Sequence, residues 1–188
     1  CRTCAITFER IVTLLSRDDA ELLYGTFFVV ARSRTGGYFV SRKNPGQHVY
    51  AYDSLGRLER IIGRPGRGPG ELAIVMNLAI GPGDTLYVFE RVNRISLLHL
   101  DGRFIRHQPF VFPVDAIGML PNGAKIVAGM RYSAEHVGWP LHLFDASWRH
   151  VRSFGTNHPA AFPAPPSADR RRIALASNAT TWAVGPEL

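Results

Sequence analysis

Apolar and polar residues alternate through residues 49–58, Val-Tyr-Ala-Tyr-Asp-Ser-Leu-Gly-Arg-Leu, and the pattern returns twice at an interval of 46 residues. Residues 95–104 read Ile-Ser-Leu-Leu-His-Leu-Asp-Gly-Arg-Phe, and residues 141–150 read Leu-His-Leu-Phe-Asp-Ala-Ser-Trp-Arg-His. Val49, Ile95 and Leu141 hold one apolar position; Ala51, Leu97 and Leu143 hold the next on the same face. An arginine follows each turn: Arg57, Arg103 and Arg149. A period of two is that of a strand with one face buried, and the turn residues that follow make each unit half of a hairpin.

Each repeat divides into four short strands. The first predicts strands over 26–33, 37–41, 48–53 and 57–62, broken by Thr35-Gly36-Gly37 and Asn44-Pro45-Gly46. The second predicts 77–80, 85–90, 94–100 and 103–110, with Pro82-Gly83-Asp84 and the hairpin dipeptide Asp101-Gly102 as turns. The third predicts 114–119, 124–131, 140–145 and 149–154, with Pro121-Asn122-Gly123 as its first turn. Four-stranded units returning every ~40–50 residues are the pattern of β-propeller blades. The expected fold class is therefore all-β: antiparallel blades over about 25–62, 76–110 and 114–155, preceded by a segment over 1–24.

A fourth blade begins with strands at 172–176 and 181–184 and has only those two before Leu188. About three and a half blades cannot close a ring, and an open ring leaves a sheet edge and apolar faces in water. The chain is thus expected to be a fragment of a larger propeller, with a half-propeller completed by dimerisation as the alternative. Helical signal is weak: 16–23 could carry one short capped helix, and the four prolines of 157–168 read as an irregular connection.

Composition changes this picture little. Hydrophobic residues make up 46% and charged residues 20% of the 188, which suits a globular chain and argues against disorder. No apolar run approaches the ~20 residues of a membrane-spanning helix. The net charge of +7 comes almost wholly from arginine, since Lys43 and Lys125 are the only lysines. Most arginines are dispersed, so a solvated surface is preferred over a nucleic-acid partner. Both cysteines fall in the first four residues, so no disulfide framework crosses the strands.

The stretch Gly63-Arg64-Pro65-Gly66-Arg67-Gly68-Pro69-Gly70-Glu71-Leu72, followed by Asp84-Thr85-Leu86-Tyr87-Val88, Asn93-Arg94-Ile95 and Leu100-Asp101-Gly102-Arg103-Phe104, resembles an NHL-type repeat. The chain as a whole is similar to bacterial six-bladed propellers of the NHL-like group, recognisably so over about residues 25–155. It departs from their pattern at Glu90, where Asp is common, and at Trp148, where a turn glycine is missing. The resemblance implies a fragment of a six-bladed ring in an exported or lipid-anchored protein, periplasmic, outer-membrane-associated or secreted. It implies a non-catalytic binding or scaffolding role, with a protein, peptide or glycan as ligand. A minority of related propellers are hydrolases or lyases holding a divalent metal in the central channel.

Candidate chemistry is sparse. The glycines of 63–70 lack the Lys-Ser/Thr of a phosphate loop, and Glu71 would repel phosphate, so the segment reads as a linker hinging two blades, with Glu71 accepting backbone or arginine hydrogen bonds. Cys1 and Cys4 have metal or redox spacing but no further cysteine to complete a site; Cys1 as an acylated lipoprotein residue is the other functional reading, and an ordinary terminus is preferred. His99 and His142 lie in strands and are expected to face outward or to hydrogen-bond within a blade. No Gly-x-Ser-x-Gly elbow occurs. The aromatics Phe27, Phe39, Tyr50, Tyr87, Phe104, Phe144 and Trp182 are read as packing between blades.

Binding contacts are expected at Arg91, Asn93 and Arg131, which end or follow second strands where loops emerge, with blade-internal hydrogen bonding the bland role for Asn93. Innermost strands offer Asn77 and Asp115, which a calcium or zinc ion could use only with further oxygen ligands from other blades. A polar channel lining without metal or other cofactor is the preferred reading.

Overall fold

A computed structural model describes residues 9–14, 28–43, 46–110, 114–129 and 141–155. The expected fourth blade at 172–188, the segments 16–23 and 157–168, and Cys1, Cys4, Phe27, Arg131 and Trp182 lie outside the described residues.

Every described element is a strand. The first antiparallel sheet takes β1 (Phe28–Arg32), β2 (Tyr38–Arg42), β3 (Val49–Tyr52) and β4 (Leu58–Ile62) in the order β1-β2-β3-β4. Two short strands follow, β5 (Arg64–Pro65) and β6 (Glu71–Leu72), paired in parallel. The second sheet holds β7 (Val75–Gly81), β8 (Thr85–Glu90), β9 (Arg94–His99) and β10 (Phe104–Pro109); the third holds β11 (Ala116–Met119), β12 (Lys125–Ala128), β13 (Leu141–Phe144) and β14 (His150–Phe154). The twelve strands expected of the three repeats are all present, with ends shifted by a few residues.

The sheets stack face to face. Along β8, Leu86 and Val88 join Val29, Phe39, Val49, Ala51 and Ile62 of the first sheet in one buried cluster. Tyr87 and Phe89 point the other way, into a cluster with Phe110, Val114, Val127 and Phe144 at the third sheet. A strand that buries both alternating faces must lie in a middle layer, and β7 contacts both β1 and β11, so the first strands of three blades run side by side at the inner edge. This is the radial packing of a propeller. The far face of the first sheet (Val40, Tyr50, Tyr52) is met by Leu14 of the 9–14 segment.

Two features recur at the 46-residue interval. Each pairing of third with fourth strand carries a register shift, beside Tyr52, Phe104 and Phe144, which leaves Glu59, Ile105 and Val151 as the extra residues. The preceding turn places one residue in the left-handed region: Gly56 (φ 83°), Gly102 (φ 93°) and Trp148 (φ 65°). The first two are ordinary for glycine; the third holds an indole in a conformation that costs an L-residue ~1–2 kcal/mol.

The linker over 63–72 is held by side-chain hydrogen bonds at several points. Glu71 accepts hydrogen bonds from Gly68 N–H (2.9 Å), Arg67 N–H (3.0 Å) and Arg64 Nε (3.2 Å), as its position suggested. Those donors, Gly68 foremost, hold the Glu71 carboxyl below its ordinary range. Arg94 and His107 also bond the Arg67 and Gly68 carbonyls, and Gly63, Gly66 and Gly70 supply the positive φ the tight fold needs.

Candidate functional site

The β8–β9 turn is three residues long. The ladder closes at Glu90 opposite Arg94, and Asn93 turns the chain with φ 56°, a region Asn tolerates better than most residues. Its carbonyl accepts from Phe110 N–H at 2.9 Å, so part of its role is the blade-internal bonding expected as the bland alternative. Arg91 N–H donates to the Ile74 carbonyl at 2.9 Å, which leaves the Arg91 side chain exposed at the tip.

Behind this turn lies a cleft of about 260 Å³ between the second and third blades. Phe89, Phe110, Val114 and Met76 line it, and Arg91, Asn93 and Asp115 carry polar groups beside the paired Glu90 and Arg94. Three of the residues singled out from sequence therefore share one concavity. Asn77 stands beside it: its Nδ2 donates to the Asp115 carbonyl at 3.0 Å and its Oδ1 accepts from Leu78 N–H at 2.9 Å. The two residues of the metal reading do meet, but through a backbone carbonyl that links the inner strands of adjacent blades.

That arrangement bears on a divalent ion. Both ends of the Asn77 amide are already engaged, and among the described residues no three His, Cys, Asp or Glu side chains come together. The residues present do not fit a divalent centre by themselves; further ligands would have to come from outside the described residues.

The cleft's back wall holds what sequence reasoning missed. Glu90 has a fully buried side chain that accepts from Ala73 N–H (2.6 Å), from Arg94 Nε (2.9 Å) and Nη2 (2.7 Å), and from Ser96 Oγ. Arg94 also donates to the Arg67 carbonyl at 2.6 Å, and His107 bridges Ser96 (3.0 Å) and the Gly68 carbonyl (3.2 Å). The departure from Asp at Glu90 is the visible signal: this acid reaches the Ala73 N–H just past the linker and holds Arg94, which bonds the linker. In the third blade His142 makes comparable bonds to Ser153 (2.8 Å) and the Gly129 carbonyl (3.0 Å), while His99 is exposed, as expected for both strand histidines.

At the opposite end of the blades, a larger groove of about 510 Å³ was not anticipated. It gathers the first hairpin of each of the three blades.

No known protein family and no curated protein matches the chain. Solved structures do. A predicted exported protein from Bacteroides fragilis NCTC 9343 superposes with a TM-score of 0.65 at 13% identity, covering 78% of this chain and 42% of its own. A protein of unknown function from Bacteroides caccae gives 0.51 at 17% identity, covering 71% and 50%. The fold is that of a β-propeller. A streptogramin B lyase structure also aligns, at 0.48 and 18% identity over 73% and 43%. The chain thus spans half or less of the length of the two Bacteroides proteins. At these identities the likeness extends to architecture alone. Among the described residues no helix is long and apolar enough to cross a membrane.

Proposed function

We propose that this chain belongs to a non-catalytic, ligand-binding or scaffolding propeller of the bacterial NHL-like group, six-bladed when complete. Its ligand is a protein, peptide or glycan, held at the blade end where Arg91, Asn93 and Asp115 rim the cleft. The observation that carries this reading is that shared cleft, whose floor of Phe89, Phe110, Val114 and Met76 is apolar and whose rim offers one cation, one anion and one amide. Such a floor accepts a peptide side chain or the apolar face of a sugar ring, and the rim fixes its orientation. Arg131 follows the second strand of the third blade and is proposed as a further contact. Export, to the periplasm, the outer membrane or the medium, is part of this proposal and is supported by the likeness to the Bacteroides fragilis protein.

Screening the full chain against peptide and glycan arrays tests this, with each hit measured again on Arg91→Glu and Asp115→Ala. Loss of about tenfold or more in affinity is expected where a contact is central. Hits indifferent to both substitutions, or sustained turnover of any bound ligand, would overturn the reading.

A further inference from the structure

The groove opposite the cleft lies about 20 Å away along β7, the rise of a seven-residue strand. Its walls come from three blades: Arg32 and Arg34 from the first, the Ile80–Gly83 hairpin from the second, and Met119, Leu120 and Pro121 from the third. At about 510 Å³ it falls within the ~300–1,000 Å³ of small-molecule sites. Its shape is built in. A Cβ on Gly81 would run into the Tyr87 ring of the same blade and crowd the Met119 methyl, so glycine is what lets Tyr87 lie across the second hairpin here.

The lining divides by chemistry. Ile80, Pro82, Met119, Leu120 and Pro121 offer an apolar surface open to solvent, while the first blade supplies two guanidinium groups. Arg34 meets Asp84 at 3.7 Å with both side chains exposed, a pairing that solvent weakens. Arg32 sits over the Tyr38 ring at 5.3 Å and has no carboxylate partner among the described residues. One acid facing two arginines leaves unspent positive charge at the edge of an apolar trough.

We infer that this groove binds a small amphiphilic carboxylate, its apolar body along Ile80, Met119 and Leu120 and its acid on Arg32 and Arg34. A guanidinium fork takes a carboxylate through two parallel hydrogen bonds, and an adjoining apolar wall orients the remainder. The site is independent of the cleft at the other end and of any role proposed for it.

Calorimetric titration of the full chain with decanoate, with decanol as the uncharged control of equal length, tests the inference. Saturable one-to-one binding of decanoate is expected, about tenfold or more tighter than decanol. The exposed Arg32→Gln/Arg34→Gln pair should remove that preference and leave weak binding of both. Arg91→Glu at the other end should change nothing here, which keeps failure of this site distinct from failure of the cleft. Equal affinity for decanol, no saturable decanoate binding, an unchanged titration in the arginine pair, or binding of an acidic peptide in place of decanoate would each overturn it.

Discussion

The Lys125 ammonium stands 4.6 Å from the centre of the Trp148 ring while donating to the carbonyls of Asp145 (3.2 Å) and Ala146 (2.6 Å). Lys125 is only 2% exposed, a rare burial for lysine, and its charge is met by carbonyl dipoles and an aromatic face. The two carbonyls belong to the turn that forces Trp148 into φ 65°. The lysine and the strained tryptophan therefore explain one another: the turn offers the carbonyls, and the indole closes over the cation that takes them.

Replacing Lys125 by Met should cost about 1–3 kcal/mol at neutral pH, since two carbonyls lose their donor inside the blade. Desolvation lowers the lysine's folded-state value below its ordinary 10.5, with Asp145 opposing in part. The unfolded chain therefore holds the proton more strongly, and the parent protein gains stability as pH rises from the lowered value towards 10.5. Burial raises the Tyr87 phenol above 10.0 and acts in the opposite sense above that pH, but equally in both proteins. Urea midpoints taken from neutral to alkaline pH should show the Met variant falling further behind; a constant gap would refute the assignment.

At Trp148 the usual order of alanine and glycine should invert. Either substitution removes ring contacts with Tyr87, Phe89, Phe110 and Phe144, whose centroids lie 5.0–6.3 Å away, so both should lose about 2 kcal/mol or more. Only glycine relieves the left-handed backbone, so Trp148→Gly should be the more stable of the two by about 1 kcal/mol. Chemical denaturation of the pair gives the sign directly.

Most of the architecture was legible in the sequence because alternation and turn chemistry agree in every repeat. Leu86 to Phe89 alternate between two clusters, and Asp101-Gly102 marks its hairpin without help from distant contacts. The parallel pair β5–β6 was not visible, since two residues carry no periodicity and their pairing depends on Glu71 folding back over the glycines. The cleft was half legible: Arg91, Asn93 and Asp115 could be placed at strand ends, but their meeting depends on blade packing. Glu90 and Trp148 depart from the NHL-type pattern, and each sits at the centre of its own network. The groove at Arg32 and Arg34 gave no signal, because three hairpins form it only after the blades have stacked.

Acid should unfold the protein through its turns. Asp53 and Asp145 each accept two backbone N–H bonds, and Asp101 accepts one, while Arg57, Arg149 and Arg103 hold their second oxygens at 2.9, 2.9 and 2.7 Å. Backbone donors, from Arg57, Arg103 and Arg149 first, lower all three carboxyls below 3.8, and Glu71 is lowered below 4.5 by Gly68 first. A depressed acid contributes fully above its unfolded value and loses that contribution as pH falls through the folded one. The contribution of these four carboxyls should be level from neutral pH until the region of 4.5 and 3.8, then decline. Replacing the three aspartates by Asn should flatten the decline measured by urea midpoints; an unchanged slope would place the acid sensitivity elsewhere.

Glu90→Ala should be the most damaging single change near the cleft. It leaves Arg94, whose side chain is 13% exposed, without its carboxylate and the Ala73 N–H without its acceptor, and removal of one partner of a buried pair costs ~3–5 kcal/mol. Glu90→Gln keeps an acceptor for Ala73 and should cost less, since it loses charge and keeps shape. The effect should also be directional: Arg94 holds the Arg67 carbonyl and His107 the Gly68 carbonyl, so the 63–72 linker loosens first. Hydrogen exchange in Glu90→Gln should therefore quicken at the Gly66, Arg67 and Gly68 amides while the β12–β13 ladder keeps its protection. Uniform loss of protection across all three sheets would show that Glu90 stabilises the whole stack and does not specifically anchor the linker.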